Sequence, residues 1–224
     1  MTKNPELIVM LTQNDRTVLN APEIFEECRY TKVQYWGFKE EPLPPDQMKK
    51  LFSRMKEYGK TTVLEVVAYT EKEGLDAAKL AAWCGCDILI GTSFCESILA
   101  FCHENGMKYM PYIGHVTGRP SILEGSIENM AEEARGYLHS GADGINLLGY
   151  RYTGDPVSLN NTLVSMIKAP VCLAGSINSL ARLDEVKTAG PEYFTIGGAF
   201  FDHRFGESFP EQVEAVYDYM QQQN

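Results

Sequence analysis

Two short stretches near the end of the chain combine residue types that can hold an anion. Pro170-Val-Cys-Leu-Ala-Gly-Ser-Ile177 and Tyr193-Phe-Thr-Ile-Gly-Gly-Ala-Phe-Phe201 are apolar runs that finish in small residues and then open a helical pattern. Glycine lets a ligand approach the backbone, and amide N–H groups at a helix start favour negative charge. Gly175, Ser176, Gly197 and Gly198 are therefore the candidate phosphate seat. A second kind of chemistry is signalled by Glu65, an acid inside the apolar run Leu64-Glu-Val-Val-Ala-Tyr69. An ionised carboxylate is costly there unless it is paired or lines a polar lumen, so a general acid/base and a bonded structural carboxylate are its two readings. On an extended strand Tyr69 would share its face.

Other candidates stand where apolar runs give way to polar residues. Asp15 follows the first run, and His115 follows the fifth and can exchange a proton near neutral pH. Lys39, Arg119, Arg151 and Asn146 could bind the ligand, with Arg119 on a Gly- and Pro-punctuated loop able to close over an anion. Trp36 and Tyr150 could wall a small ligand or pack at a rim. Four scattered histidines have no metal-site spacing, so the expectation is no metal and no cofactor, with Mg²⁺ held by substrate and one carboxylate left open. Cys84-Gly-Cys86 reads as packing, and the six cysteines as reduced thiols.

What must position these residues is a strict alternation. Apolar runs near residues 7–12, 33–38, 61–70, 86–91, 108–113, 144–149, 170–174 and 193–196 alternate with helical patterns, the clearest at 21–28, 46–58, 71–84, 96–104 and 127–139. Asp155-Pro156 is a good helix start, a capping acid followed by proline. Short apolar strands alternating with amphipathic helices imply parallel strands with right-handed crossovers. Eight such units predict one (β/α)8 barrel over residues 1–224, an α/β fold whose site lies at the carboxyl ends of the strands. An open doubly wound sheet is the competitor, but the first strand carries no G-x-G-x-x-G turn. The residues between 114 and 126 read as a long loop.

The formal net charge is −10, from 20 basic and 30 acidic residues. That argues against nucleic acid or an anionic membrane as partner, and an anionic substrate would need local positive potential. No apolar run reaches the roughly 18–20 residues of a membrane helix, and no signal-peptide pattern opens the chain, so a cytoplasmic protein is expected. A homodimer is open, since barrels of this size often pair.

Ala174-Gly-Ser-Ile177, the helix through Leu180 and Leu183, and Phe194-Thr-Ile-Gly-Gly-Ala199 resemble the closing quarter of the ribulose-phosphate-binding barrel superfamily. That group holds sugar-phosphate epimerases and isomerases, decarboxylases, and barrels of histidine and tryptophan biosynthesis. The resemblance implies that Gly175, Ser176, Gly197 and Gly198 seat a phosphate. The third strand departs from the Asp-x-Lys pattern of the decarboxylase branch, and the second and third lack the metal ligands of pentulose-phosphate epimerases. The sixth lacks the lysine of related aldolases. The expected activity is proton transfer next to a carbonyl of a small phosphorylated sugar or oxo-acid, by an isomerase, epimerase or retro-aldol lyase. Glu65 would be the base and His115 or Asp15 the second acid/base. The alternatives are a Schiff-base aldolase using Lys39 and a non-catalytic phosphate-ligand-binding barrel.

Overall fold

The computed structural model describes residues 4–222. Eight parallel strands run β1 (Glu6–Met10), β2 (Tyr35–Lys39), β3 (Thr61–Val66), β4 (Ile88–Gly91), β5 (Lys108–Met110), β6 (Ile145–Leu147), β7 (Val171–Leu173) and β8 (Tyr193–Ile196). Each pairs with its neighbour in sequence, and β8 pairs with β1 (Glu6 opposite Tyr193, Val9 opposite Ile196). The remaining seam, between β5 and β6, is closed by a parallel bridge from Tyr112 to Asn146. There the Asn146 N–H donates to the Pro111 carbonyl at 2.8 Å. Asp143 completes the seam, accepting the Tyr109 N–H on its carboxylate at 2.9 Å. The fold is a closed (β/α)8 barrel, as the alternation predicts.

Helices follow the strands: α1 (Ala21–Cys28), α2 (Pro45–Glu57), α3 (Glu71–Cys84), α4 (Glu96–Glu104), α5 (Ile127–Ser140), α6 (Pro156–Met166), α7 (Leu180–Ala189), the single turn α8 (Gly198–Phe201) and α9 (Phe209–Gln221). Their starts are written in the sequence. Asp155 accepts from the Val157 and Ser158 amides with Pro156 in the first turn, and Ser208 forms a reciprocal capping box with Glu211. None of the described helices is long and apolar enough to cross a membrane.

Strand alternation divides the core in two. Ile8, Met10, Val63, Ile88, Ile90, Met110 and Cys172 fill the lumen, while Leu7, Val9, Leu64, Leu89, Ile145 and Leu173 face the helices. Trp36 belongs to the outer layer, fully buried edge-on to Phe25 at 5.4 Å, so it does not wall a ligand. Cys84 and Cys86 are buried free thiols. Two boundaries differ from the sequence reading in ways that matter. β2 begins two residues later and ends on Lys39, which joins the alternation with Gly37 rather than lying beyond the strand. The segment after β5 is not structureless: His115–Thr117 pairs antiparallel with Ile122–Glu124, making a hairpin with Arg119 at its tip.

Candidate active site

A cavity of about 330 Å³ opens at the carboxyl ends of the strands, within the range of small-ligand sites. Its floor is built by β1, β2 and β3. Lys39 and Glu65 are register partners on adjacent parallel strands, so their side chains emerge together into the lumen. Lys39 Nζ lies 3.5 Å from Glu65 Oε1 and 2.6 Å from Asp15 Oδ1. The side chains are only 6% (Lys39), 10% (Glu65) and 12% (Asp15) exposed.

Asp15 arrives by a turn the sequence reading did not resolve. Thr12–Gln13 and Arg16–Thr17 form a two-residue hairpin whose turn residues, Asn14 and Asp15, have φ of 49° and 63°. Asn and Asp tolerate this left-handed conformation better than other side chains, and it turns Asp15 back over the barrel mouth. Thr17 fastens the hairpin to β2: its hydroxyl donates to the Lys39 carbonyl at 2.8 Å and accepts the Lys39 N–H at 2.9 Å.

Burial pulls the Lys39 pKa down, but the Glu65 and Asp15 carboxylates outweigh it and hold the amine above the ordinary lysine range. Lys39 is thus an ammonium. Tyr112, wholly buried beyond β5, donates its hydroxyl to Glu65 Oε1 at 3.3 Å, and burial foremost, with the Glu65 charge adding, pushes its own pKa well up. Gly91, at φ of 87°, passes close by: a Cβ there would lie 2.3 Å from the Val66 carbonyl and 3.2 Å from the Tyr112 hydroxyl.

The opposite wall is the pair of glycine turns. Gly175 and Ser176, at φ of 91° and 49°, and Gly197 and Gly198 all line the cavity. The two glycines of the second turn differ. A Cβ on Gly197 would stand 2.5 Å from Thr12 Oγ1 and 2.8 Å from the Thr12 carbonyl, whereas one on Gly198 would meet nothing within 4 Å. Arg151, in the single 3-10 turn Gly149–Arg151 after β6, lays its side chain across Gly175, 2.6 Å from where that residue's Cβ would be. Its guanidinium donates to the Ser121 carbonyl at 3.4 Å and, among the described residues, has no carboxylate partner.

The structure therefore brings together Asp15, Lys39, Glu65, Arg151, Gly175, Ser176, Gly197 and Gly198. It leaves out three expected residues. His115 is exposed on the hairpin and does not line the cavity, because the chain turns outward after Gly114. Arg119 does fold back over β2, but its guanidinium is taken by Glu40 and Glu41 and by the Val67 carbonyl at 3.2 Å. Asn146 faces the lumen below the cavity, fully buried, its amide without a hydrogen-bonding partner among the described residues. Tyr69 does not stand over Glu65. β3 ends at Val66, and Tyr69 bonds instead to the Gly118 carbonyl at 3.0 Å and to Ser121. Tyr150 is buried beneath Arg182, 4.3 Å from ring centre to guanidinium carbon. Thr195, Asn178, Ser121 and Asp202 line the cavity without having been anticipated. Thr195 was within reach, since it alternates with Tyr193 and Gly197 on the lumen face of β8. Among the described residues no cluster of His, Cys, Asp and Glu could hold a metal ion.

No protein-family model matches the chain, and no curated protein sequence does. Solved structures do. An orotidine 5'-phosphate decarboxylase from Pyrococcus horikoshii superposes with a TM-score of 0.70 at 13% identity, over 96% of this chain and 99% of its own. An N-(5'-phosphoribosyl)anthranilate isomerase from Pyrococcus furiosus gives 0.66 at 13%, over 97% and 98%. An N-acetylmannosamine-6-phosphate 2-epimerase from Clostridium perfringens gives 0.64 at 14%, over 97% and 93%. The shared feature is the fold. It is a (β/α)8 barrel, as the alternation of strands and helices predicts. These barrels include a decarboxylase, an isomerase and an epimerase, so identities this low select no reaction.

Proposed function

We propose that this barrel is an enzyme that moves a proton next to a carbonyl in a small phosphorylated substrate, as an isomerase or epimerase. The observation that carries the reading is the buried ammonium of Lys39 between two carboxylates, facing across one cavity a glycine-turn wall with an arginine that has no carboxylate partner among the described residues. The phosphate would rest on the backbone of Gly175–Ser176 and Gly197–Gly198 with Arg151 as its cation. Binding there fixes the reacting carbons against the floor, so remote binding energy is used for positioning.

At the floor a carboxylate, Glu65 or Asp15, takes the proton from the carbon beside the carbonyl. The electron pair moves onto the carbonyl oxygen as an enediolate, and the Lys39 ammonium stabilises that charge in a poorly hydrated pocket. Return of the proton to the neighbouring carbon gives isomerisation, and return to the opposite face gives epimerisation. Asp15 replaces His115 as the second acid/base. An imine-forming role for Lys39 is disfavoured, because a nucleophilic amine must be neutral and the two carboxylates hold this one protonated.

The test is a thermal-shift panel of phosphate, sulfate and phosphorylated C3–C6 sugars and oxo-acids, in EDTA and then Mg²⁺, followed by product analysis of each ligand that binds. A ligand at a hundred times its Kd adds about 2.7 kcal/mol of stability. Binding and conversion of a phosphorylated aldose or ketose support the reading, and stabilisation by no phosphorylated compound removes it.

A further inference from the structure

The cations around the mouth are already committed. Lys39 serves two carboxylates, Arg119 serves Glu40 and Glu41, and Arg16 lies 3.6 Å from Glu41. Among the described residues Arg151 is the cavity-lining cation without a carboxylate partner, and it sits on the glycine-turn side. At the opposite end two carboxylates face one ammonium, leaving the floor with an excess negative charge. Asp202 adds another at the exposed outer rim. The floor also holds an unused acceptor: Asp15 Oδ2 is buried and hydrogen-bonds to nothing among the described residues. A buried carboxylate oxygen is costly unless a donor reaches it.

We infer that the cavity selects ligands with a single anionic group, the phosphate, and a far end that is uncharged and donates hydrogen bonds. The substrate is then a phosphorylated polyhydroxy aldehyde or ketone, and a phosphorylated oxo-acid is turned away. This rests on the proposed function, which supplies the seat, and narrows it. A second carboxylate at the floor would meet like charge in a region shielded from water, with no uncommitted cation beside it among the described residues. A sugar hydroxyl brings no charge to this end and can donate to the carboxylates that line it.

The experiment compares Kd by calorimetry for matched pairs that differ at C1: ribose 5-phosphate with 5-phosphoribonate, and glucose 6-phosphate with 6-phosphogluconate. Ribitol 5-phosphate serves as a control that is uncharged at C1, and inorganic phosphate reports on the seat. The expected result is at least about tenfold weaker binding of each carboxylate, a difference of roughly 1.4 kcal/mol, with ribitol 5-phosphate on the tight side. Asp15→Asn, which asparagine's tolerance of positive φ keeps compatible with the turn, should bring the two members of each pair to within about threefold by neutralising the excess charge. Glu65→Gln is the substitute if that variant does not fold.

Equal or tighter binding of the carboxylates by the wild-type chain, with inorganic phosphate bound, overturns the charge rule and leaves the seat standing. So does a ratio that neither variant changes. Failure to bind inorganic phosphate or any member of the pairs overturns both the rule and the function on which it rests.

Discussion

Replacing Lys39 by methionine removes the cation that the floor is built on while keeping most of its volume. Two carboxylates, each about nine-tenths buried, then face one another without their shared cation, Glu65 keeping only the Tyr112 hydroxyl. Breaking a buried ion pair from one side costs about 3–5 kcal/mol, chiefly because the charge left behind is uncompensated. For a chain of this length each kcal/mol lowers Tm by roughly 2–4 °C, so a drop on the order of 10 °C is expected near neutral pH. Thermal or urea denaturation of both proteins near neutral pH reads the difference. A deficit under about 1 kcal/mol would refute the electrostatic account of the floor.

The Lys39 contribution has its own pH signature. A lysine whose folded pKa is raised contributes stability that is fully present below the unfolded value, about 10.4, and is lost as pH rises through the higher folded value. Comparison with Lys39→Met should therefore show the gap closing at alkaline pH. Gly198→Leu should reduce phosphate binding at least about tenfold with little change in Tm, because its side chain enters open cavity. Gly197→Ala should instead destabilise by about 1–3 kcal/mol through the approach to Thr12. Equal melting losses in the two variants would contradict the geometry. Arg151→Met should weaken a phosphorylated ligand by about 1.5–3 kcal/mol, the value of a hydrogen bond to a charged group, measured by calorimetry. Burial pushes the thiols of Cys28, Cys86 and Cys102 up to about 12 and Cys84 up to about 11. A thiol reagent at pH 8 should therefore label half-buried Cys95 first, as peptide mapping would show.

The barrel was legible because its signals are local and repeated. Apolar runs of strand length, amphipathic helices and caps such as Asp155-Pro156 each point to the same alternation, and the boundaries of α1, α3 and α4 follow from it to the residue. The glycine turns and Glu65 could be placed for the same reason, since strand ends and strand interiors are properties of short windows. The Lys39–Asp15 contact was not legible. It depends on a two-residue hairpin at Asn14-Asp15 and on β2 running as far as residue 39, details of register that hydrophobic pattern leaves open. His115 and Arg119 misled for a related reason. The stretch after β5 carries loop residues, yet it pairs with itself as a hairpin, and neither side chain reaches the cavity. Tyr69 shows the limit of alternation, which positions a side chain only while the strand continues.

Exchange of a substrate C–H for deuterium tests the central claim most directly. A phosphorylated aldose or ketose that binds in the thermal-shift panel would be incubated in D₂O with the wild-type chain, Glu65→Gln and Asp15→Asn, and followed by NMR. The account predicts enzyme-dependent exchange at the carbon beside the carbonyl, with or without net conversion, and a loss of at least about a hundredfold when the carboxylate that takes the proton is replaced. Tight binding with no exchange by the wild-type chain would contradict proton transfer and leave a phosphate-ligand-binding barrel.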